Sequence, residues 1–259
     1  MSLVSIGRSS VGRVRTLNED AWYAGEQLFV VADGMGGHRC GDVERGLTID
    51  AVRSLDRADV SEDEVRQVVR RANAAVLGHS AENPEAAGLG TTLCGAIRRR
   101  DDWLVFNVGD SRCYLLTSGS LRQVTVDHSE VQEMVDRGLI SRDEARVHPD
   151  RNVITRAIGQ VPPPEVDIVT LRAGDGGTLL VCSDGLPSEV SDADIAGLCS
   201  GDPPLDRLAE ELVAAAEAAG GHDNITVVLV TDATDAPVVR PERARTTLPR
   251  DLVIREVAQ

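Results

Sequence analysis

Aspartates at the ends of strand-like runs are the residues of this chain most able to do chemistry. Each of four aspartates lies where an apolar run meets a tight turn: Asp33, Asp110, Asp184 and Asp223. Strand ends are rigid, so carboxylates placed there can converge on one edge of a sheet. Gathered carboxylates repel one another unless cations lie between them, and Mg²⁺ and Mn²⁺ take oxygen ligands. The pattern predicts a metal-dependent enzyme on a scaffold rich in strands.

The order of the predicted elements indicates how that scaffold is built. Strand-like runs occur in blocks, and amphipathic helices occur between the blocks. The second helix begins with a capping box at Ser61 and Glu64. The predicted helices span 41–55, 61–77, 131–136, 192–198 and 205–219, and the predicted strands span 3–6, 28–32, 91–97, 103–108, 112–116, 121–125, 165–171, 178–182 and 225–231. This order predicts an α+β fold with antiparallel sheets packed face to face and helices outside.

Composition excludes several classes of function. The chain has 259 residues and a formal net charge of −15, which argues against a partner such as nucleic acid or an anionic membrane. No stretch approaches the roughly 20 apolar residues of a membrane helix. Five cysteines without CxxC spacing are interpreted as reduced thiols of a cytoplasmic protein. No linker divides the chain, so we expect one domain over 1–231 and a tail over 232–259.

Six short motifs, in order along the chain, carry a resemblance to a known family. They are RTLNED at 15–20, ADGMGGH at 32–38, GTT at 90–92, VGDSR at 108–112, SDGL at 183–186 and GHDNIT at 221–226. With these motifs the chain resembles the bacterial serine/threonine protein phosphatases of the PPM family (type 2C). The resemblance implies a four-layer αββα sandwich, with two packed antiparallel sheets flanked by helix pairs. It also implies a centre of two Mn²⁺ or Mg²⁺ ions at one edge of the sandwich.

The residues of the motifs suit hydrolysis of a phosphomonoester. Two divalent cations would neutralise the phosphate dianion, and a hydroxide bridging them would attack phosphorus directly. Asp33 is the natural bridging carboxylate, and Gly34 can offer its backbone carbonyl because it has no side chain. Asp184 and Asp223 would complete opposite sides of the pair. The remaining assignments are Glu19 and Asp20, as ligands directly or through water, and Arg15, as the group that grips the phosphate oxygens.

Asp110 has two interpretations. In relatives the matching aspartate helps to hold a third, weaker cation beside the position of Asp184. Alternatively, Asp110 only caps the turn from Gly109 to Arg112 and pairs with that arginine.

The general acid is also open. Eukaryotic relatives usually carry a histidine after the bridging Asp-Gly, and this chain has Met35 there. The candidates for protonating the leaving alkoxide are His38, His148 in the segment that resembles the family's flap, and a metal-bound water. Both histidines can equally be structural.

The chain also contains residues that bear on other possible functions. The spacing of Cys94 and Arg100 matches a C-x5-R phosphatase loop, but Cys94 lies in a predicted strand and no histidine precedes it. A pseudophosphatase that acts as a binding module would lack a metal carboxylate, whereas Asp33, Asp184 and Asp223 are all present. A phosphatase of small phosphoesters remains an alternative. The resemblance implies phosphoprotein substrates, with a bacterial Ser/Thr kinase or its targets, and type VI secretion components, as partners.

Overall fold

Two antiparallel sheets form the centre of this computed structural model. It describes residues 2–35, 41–83, 88–117, 120–173 and 176–232, and the backbone of 255–256. The strands are β1 Leu3–Ser10, β2 Asp20–Ala24, β3 Leu28–Met35, β4 Gly90–Thr91, β5 Leu93–Arg98, β6 Asp102–Val108, β7 Arg112–Thr117, β8 Ser120–Gln123, β9 Asp167–Arg172, β10 Thr178–Cys182, β11 Ile225–Asp232 and β12 Arg255–Glu256. The helices are α1 Gly41–Val52, extended by a 3-10 turn at Arg53–Leu55, α2 Glu62–Glu82, α3 Glu130–Asp136, α4 Arg142–Arg146, α5 Gly185–Glu189, α6 Asp192–Leu198 and α7 Leu205–Ala219.

The strand order within each sheet brings distant parts of the chain together. Over the described ranges, sheet 1 has the order β12-β1-β11-β10-β7-β8, and sheet 2 has the order β2-β3-β5-β6-β9 with β4 paired to β3. In sheet 1, β1 pairs with β11 in a register that sets Leu3 opposite Asp232. In sheet 2, the β2–β3 register sets Asp20 opposite Asp33.

The layers follow from the alternation of side chains along buried strands. In β3, Leu28, Val30 and Ala32 pack against helices α1 and α2, whereas Phe29 and Val31 face the other sheet. Both faces of this strand are buried, which explains why its sequence is a continuous apolar run. A third cluster packs sheet 1 against α5, α6 and α7. The layering is therefore helix, sheet, sheet and helix, as predicted.

Helix α2 forms where its sequence signals indicate. Ser61 is the N-cap: its side chain accepts from the Glu64 N–H, and the Glu64 carboxylate accepts from the Ser61 N–H at 2.9 Å. The buried face carries Val65, Val68, Val69, Ala72 and Val76. This helix was predicted to end near residue 77 and continues to Glu82. Among the described helices, none is long and apolar enough to cross a membrane.

Three short elements within residues 1–231 were not predicted. Strand β2 lies outside the predicted elements, because its apolar run Ala21-Trp22-Tyr23-Ala24 is short and its side chains after Asp20 are only partly buried. Helix α4 also lies outside the predicted elements, because none of its residues is buried and only the Ser141–Glu144 capping box marks it. Helix α5 directly follows Asp184.

Some expectations fall outside the described residues. The turn at Ser118-Gly119, between the strands predicted over 112–116 and 121–125, is one. The tail over 232–259 is described only at its first residue and at β12, which pairs with β1. Cys40 is another. The remaining cysteines, Cys94, Cys113, Cys182 and Cys199, are free thiols.

Candidate metal centre

The two sheets deliver carboxylates to the same edge of the sandwich. Sheet 2 contributes Asp20 from the start of β2 and Asp33 from β3, paired in register. Sheet 1 contributes Asp184, directly after β10, and Asp223, just before β11. Asp110 lies in the turn between β6 of sheet 2 and β7 of sheet 1. The carboxylates predicted from the motifs therefore meet at the junction of the sheets.

Burial and mutual repulsion raise the pKa of several of these carboxyl groups. Burial, followed by the charges of Asp184 and Asp223, raises the pKa of Asp20 to about 7. Burial and then the charge of Asp223 raise the pKa of Asp184 to about 6. The pKa of Asp33 lies well above its ordinary value because of burial and then the charges of Asp20 and Asp184. Such a cluster attracts positive charge.

Three carboxylate oxygens at this edge are buried without a hydrogen-bond partner: Glu19 Oε1, Asp20 Oδ1 and Asp184 Oδ1. Leaving a buried acceptor unpaired is costly, and a divalent cation with oxygen ligands would satisfy it. Within the described ranges, no group of three or more His, Cys, Asp or Glu side chains is already arranged so that it could hold a metal ion. The donor set, which consists of oxygen atoms only, fits hard cations.

Hydroxyl groups beside the strand ends fix the buried Asp20 and the half-buried Asp33 of sheet 2. The Ser183 hydroxyl donates to Asp20 Oδ2 at 2.8 Å and accepts from the Thr226 N–H at 3.0 Å. The Asp33 N–H donates to Thr92 Oγ1 at 3.0 Å, and the Thr91 hydroxyl donates to the Asp33 carbonyl at 2.9 Å. Thr91 and Thr92 therefore hold the backbone of Asp33 by local hydrogen bonds.

Asn224 anchors the loop that carries Arg15 and Glu19. Its side-chain oxygen accepts from the Glu19 N–H at 2.7 Å, and its Nδ2 donates to the carbonyls of Val11 and Leu17 at 3.0 and 2.9 Å. A polar residue directly after a predicted ligand was the available signal, but its partners lie more than 200 residues away.

Arg15 lies at this edge in contact with a carboxylate. Its Nη2 donates to Asp223 Oδ2 at 2.7 Å. Burial opposes the charge of Arg15, but the carboxylates of Asp223, Glu19 and Asp33 outweigh it, and the net effect is a raised pKa. The loop approaches so closely that a Cβ at Gly12 would collide with the carbonyl of Asp223. The other guanidinium donors of Arg15 stay available for phosphate oxygens.

The Asp110 turn is held from two sides. Arg112 does not pair with Asp110; it makes a bidentate pair with Asp127, with Nη2–Oδ2 at 2.6 Å and Nε–Oδ1 at 2.9 Å. The Gly109 N–H donates to His128 Nδ1 at 3.0 Å, and the His128 N–H donates to the Gly109 carbonyl at 2.9 Å. Burial and then the charges of Asp184 and Asp127 raise the pKa of Asp110 well above its ordinary value.

A cavity of about 410 Å³ opens beside Asp110 and Asp184. Its lining includes residues between 129 and 152, among them residues of α3 and α4, and residues between 187 and 193. The same cavity is therefore lined by part of the carboxylate cluster and by these two segments.

Comparison with known proteins identifies the family. A family model described as protein phosphatase 2C matches residues 7–229. The chain belongs to the protein phosphatase 2C family. Serine/threonine phosphatase stp of Listeria welshimeri is 37% identical over 235 residues, which cover 86% of this chain and 93% of that protein.

Two further family members have solved structures. Serine/threonine protein phosphatase PstP of Mycobacterium tuberculosis is 40% identical over 232 residues, 88% of this chain but 44% of PstP. The structure of the PstP catalytic domain in complex with two manganese ions matches with a TM-score of 0.79 and 37% identity, over 89% of this chain and 98% of that one. PppA, described as a key regulatory component of the type VI secretion system in Pseudomonas aeruginosa, matches with a TM-score of 0.79 and 32% identity, over 89% and 98% of the two chains.

The histidines of this phosphatase domain do not single out a general acid. His38 lies outside the described residues. His148 Nδ1 accepts from the Asp150 N–H at 3.2 Å, and His148 is not among the described residues that line the cavity. His222 contacts Glu189 of α5 through its backbone N–H and its Nδ1, at 2.9 and 2.7 Å. The geometry gives His148 and His222 structural partners.

Proposed function

We propose that this chain is a Mn²⁺- or Mg²⁺-dependent phosphatase that removes phosphate from serine and threonine residues of proteins. The observation that carries the proposal is the meeting of carboxylates from both sheets, with unpartnered oxygens on Glu19, Asp20 and Asp184. The names of the relatives support the substrate class. A cytoplasmic location is part of the proposal and is supported by the free, mostly buried thiols.

The proposed ligands act as one set of oxygen donors. Asp33 would lie between two cations, with the Gly34 carbonyl, Asp184 and Asp223 around them and with Glu19 and Asp20 as direct or water-mediated ligands. When bound, the cations would supply the charge that neutralises a phosphate dianion and makes a water molecule acidic. Asp110 is proposed to help hold a third, weaker ion beside Asp184.

The chain itself orients the substrate and the ligands. Arg15 presents donors at the rim, where they can hold phosphate oxygens while one Nη stays on Asp223. Ser183 fixes Asp20 through the hydroxyl contact at 2.8 Å. Because the reaction needs no covalent nucleophile, the buried thiol of Cys94 has no role, and burial raises its pKa well above the ordinary value.

The cellular partners extend this proposal. We propose that the enzyme opposes a bacterial Ser/Thr kinase, acting on the kinase or on its targets. Its likeness to PppA supports phosphoproteins of a type VI secretion system as one class of target. Phosphoproteomics of cells that lack the enzyme, complemented with the wild type or with Asp184→Asn, would test both. Sites that rise in the deletion and fall only with the wild type are the targets.

The activity is tested with phosphopeptides and small phosphoesters in parallel, in Mn²⁺, in EDTA, and after Mn²⁺ is restored. We expect phosphopeptide hydrolysis that disappears in EDTA and returns with Mn²⁺. Asp184→Asn should abolish turnover without unfolding the protein, whereas Asp206→Asn, at an exposed position of α7, should change neither. Full turnover in metal-free protein would refute the mechanism. Hydrolysis of small esters alone would favour the small-molecule alternative, and ion binding without turnover would favour a binding module.

A further inference from the structure

The cavity beside the carboxylate cluster carries three arginines on one wall. Arg142 and Arg146 belong to α4, and Arg151 follows it. All three are exposed, and within the described ranges none has a carboxylate at salt-bridge distance. Their neighbours differ: Arg137 pairs with Glu133 at 3.0 Å and Arg156 with Asp167 at 2.8 Å, and neither lines the cavity. In a chain with a net charge of −15, these three arginines bring positive charge without a salt-bridge partner to one cavity.

The acidic residues of the cavity have other partners. Asp127 is held by the bidentate contact with Arg112. Asp192, which also lines the cavity, accepts from the Tyr114 hydroxyl at 3.2 Å. Asp110 and Asp184 belong to the proposed metal set, and Asp143 is the one other acid in the described lining. The three arginines therefore leave a net positive wall within reach of a substrate whose phosphate lies at the carboxylate cluster.

We propose that this wall recognises acidic residues that flank the phosphorylated serine or threonine of a protein substrate. The inference rests on the proposed function and names its substrate class. Arg142 and Arg146 are four residues apart on a helix, so they share a face at about 6 Å spacing. An extended peptide places side chains on one face about every 6.6 Å, at alternate residues. Acidic residues at alternate positions on one side of the phosphoresidue fit this spacing, whereas adjacent acids point to opposite faces.

The inference is tested with a set of phosphothreonine peptides assayed in Mn²⁺. Each peptide carries one pair of test residues, on either the N-terminal or the C-terminal side of the phosphothreonine. The pair is two glutamates at alternate positions, two adjacent glutamates, two glutamines or two arginines. At low salt we expect kcat/KM about tenfold higher for alternating glutamates than for glutamines on one of the two sides, with arginine peptides slowest. The preference should shrink as ionic strength rises, because the contacts are exposed.

Matched variants separate this wall from general charge effects. A triple variant removes the three cavity arginines by Arg142→Gln, Arg146→Gln and Arg151→Gln. In this variant, kcat/KM for the alternating-glutamate peptides divided by kcat/KM for the glutamine peptides should be close to one. A control triple variant removes the same charge from exposed positions outside the cavity, by Arg70→Gln, Arg71→Gln and Arg172→Gln. It should leave this ratio unchanged. An equal loss in both triple variants would reduce the effect to net charge and overturn the inference, as would equal rates for all peptides.

Failure of the proposed function gives a different result. If no phosphoester is hydrolysed in Mn²⁺, the enzymatic proposal fails, and the charge preference is then measured as peptide binding by fluorescence anisotropy. Tighter binding of alternating-glutamate peptides, lost in the cavity variant and kept in the control variant, would still support the acidic-substrate surface. Equal binding of all peptides would overturn it.

Discussion

Replacing Asn224 with alanine should weaken both the fold and the metal centre. The side chain is 3% exposed and makes three hydrogen bonds, to the Glu19 N–H and to the carbonyls of Val11 and Leu17. At about 1 kcal/mol each, their loss should lower the free energy of unfolding by about 3 kcal/mol. The freed loop carries Arg15 and Glu19, so the Mn²⁺ concentration at half-maximal activity should rise on the order of tenfold or more.

Asn73 provides the matched control. It is 1% exposed and makes two side-chain hydrogen bonds, accepting from the Gly159 N–H at 2.7 Å and donating to the Gln160 carbonyl at 3.2 Å. Asn73→Ala should lower the free energy of unfolding by about 2 kcal/mol and leave the Mn²⁺ dependence unchanged. Urea unfolding and Mn²⁺ titrations of activity, on both variants, make the comparison. A shifted Mn²⁺ dependence in Asn73→Ala, or an unshifted one in Asn224→Ala, would refute the anchoring role.

Three further outcomes are expected. Arg15→Ala should lower kcat/KM by roughly 10- to 150-fold, because charge-assisted hydrogen bonds worth about 1.5–3 kcal/mol are lost. Unchanged steady-state kinetics would show that Arg15 only pairs with Asp223 at the surface and does not bind phosphate. Asp110→Asn should keep two tightly bound ions and a near-normal melting temperature but lose much of its turnover, which a calorimetric metal titration and a thermal melt would check. A lowered melting temperature, with residual activity in proportion to the folded fraction, would indicate a structural role instead. Burial lowers the pKa of His128 despite the opposing hydrogen bond to Asp167, so this residue binds fewer protons in the folded protein than in the unfolded chain, and its own contribution to stability should fall as the pH drops below about 6.5. His128→Asn, which retains an acceptor for the Gly109 N–H, removes that contribution, so the free energy of unfolding of the variant should rise relative to the wild type between pH 7 and pH 5 in urea melts. An unchanged difference between the two proteins over this range would exclude His128 as a source of pH dependence.

Local signals were enough to predict much of the fold and of the carboxylate set. Asp33 and Asp184 follow buried apolar runs, which predicted their approximate positions, although β3 continues past the predicted end at residue 32 to Met35 and so includes Asp33. The boundaries of β10, α6 and α7 were predicted correctly for the same reason. The capping box at Ser61 likewise depends on residues three positions apart.

The contacts that complete the site depend on partners distant in the chain. Ser183 reaches Asp20, and Arg15 reaches Asp223, only because β10 and β11 lie beside the start of β2 at the sheet junction. No local pattern encodes such a pairing. The arginines of α4 were missed because that helix buries no residue and therefore shows no apolar periodicity.

The pairing of β1 with β11 has a consequence for biogenesis. The register that sets Leu3 opposite Asp232 means that β1 cannot pair with β11 until the chain has been made as far as residue 232, and Asp223 joins Asp20 only when β11 is in place. Contacts of such long sequence separation form slowly and late, since most of the chain must be ordered before they close. A growing or truncated chain that lacks the residues beyond 222 would contain Asp20 and Asp33 but not the strand that brings Asp223 to them. Hydrolytic competence would thus appear at the end of folding and in one step.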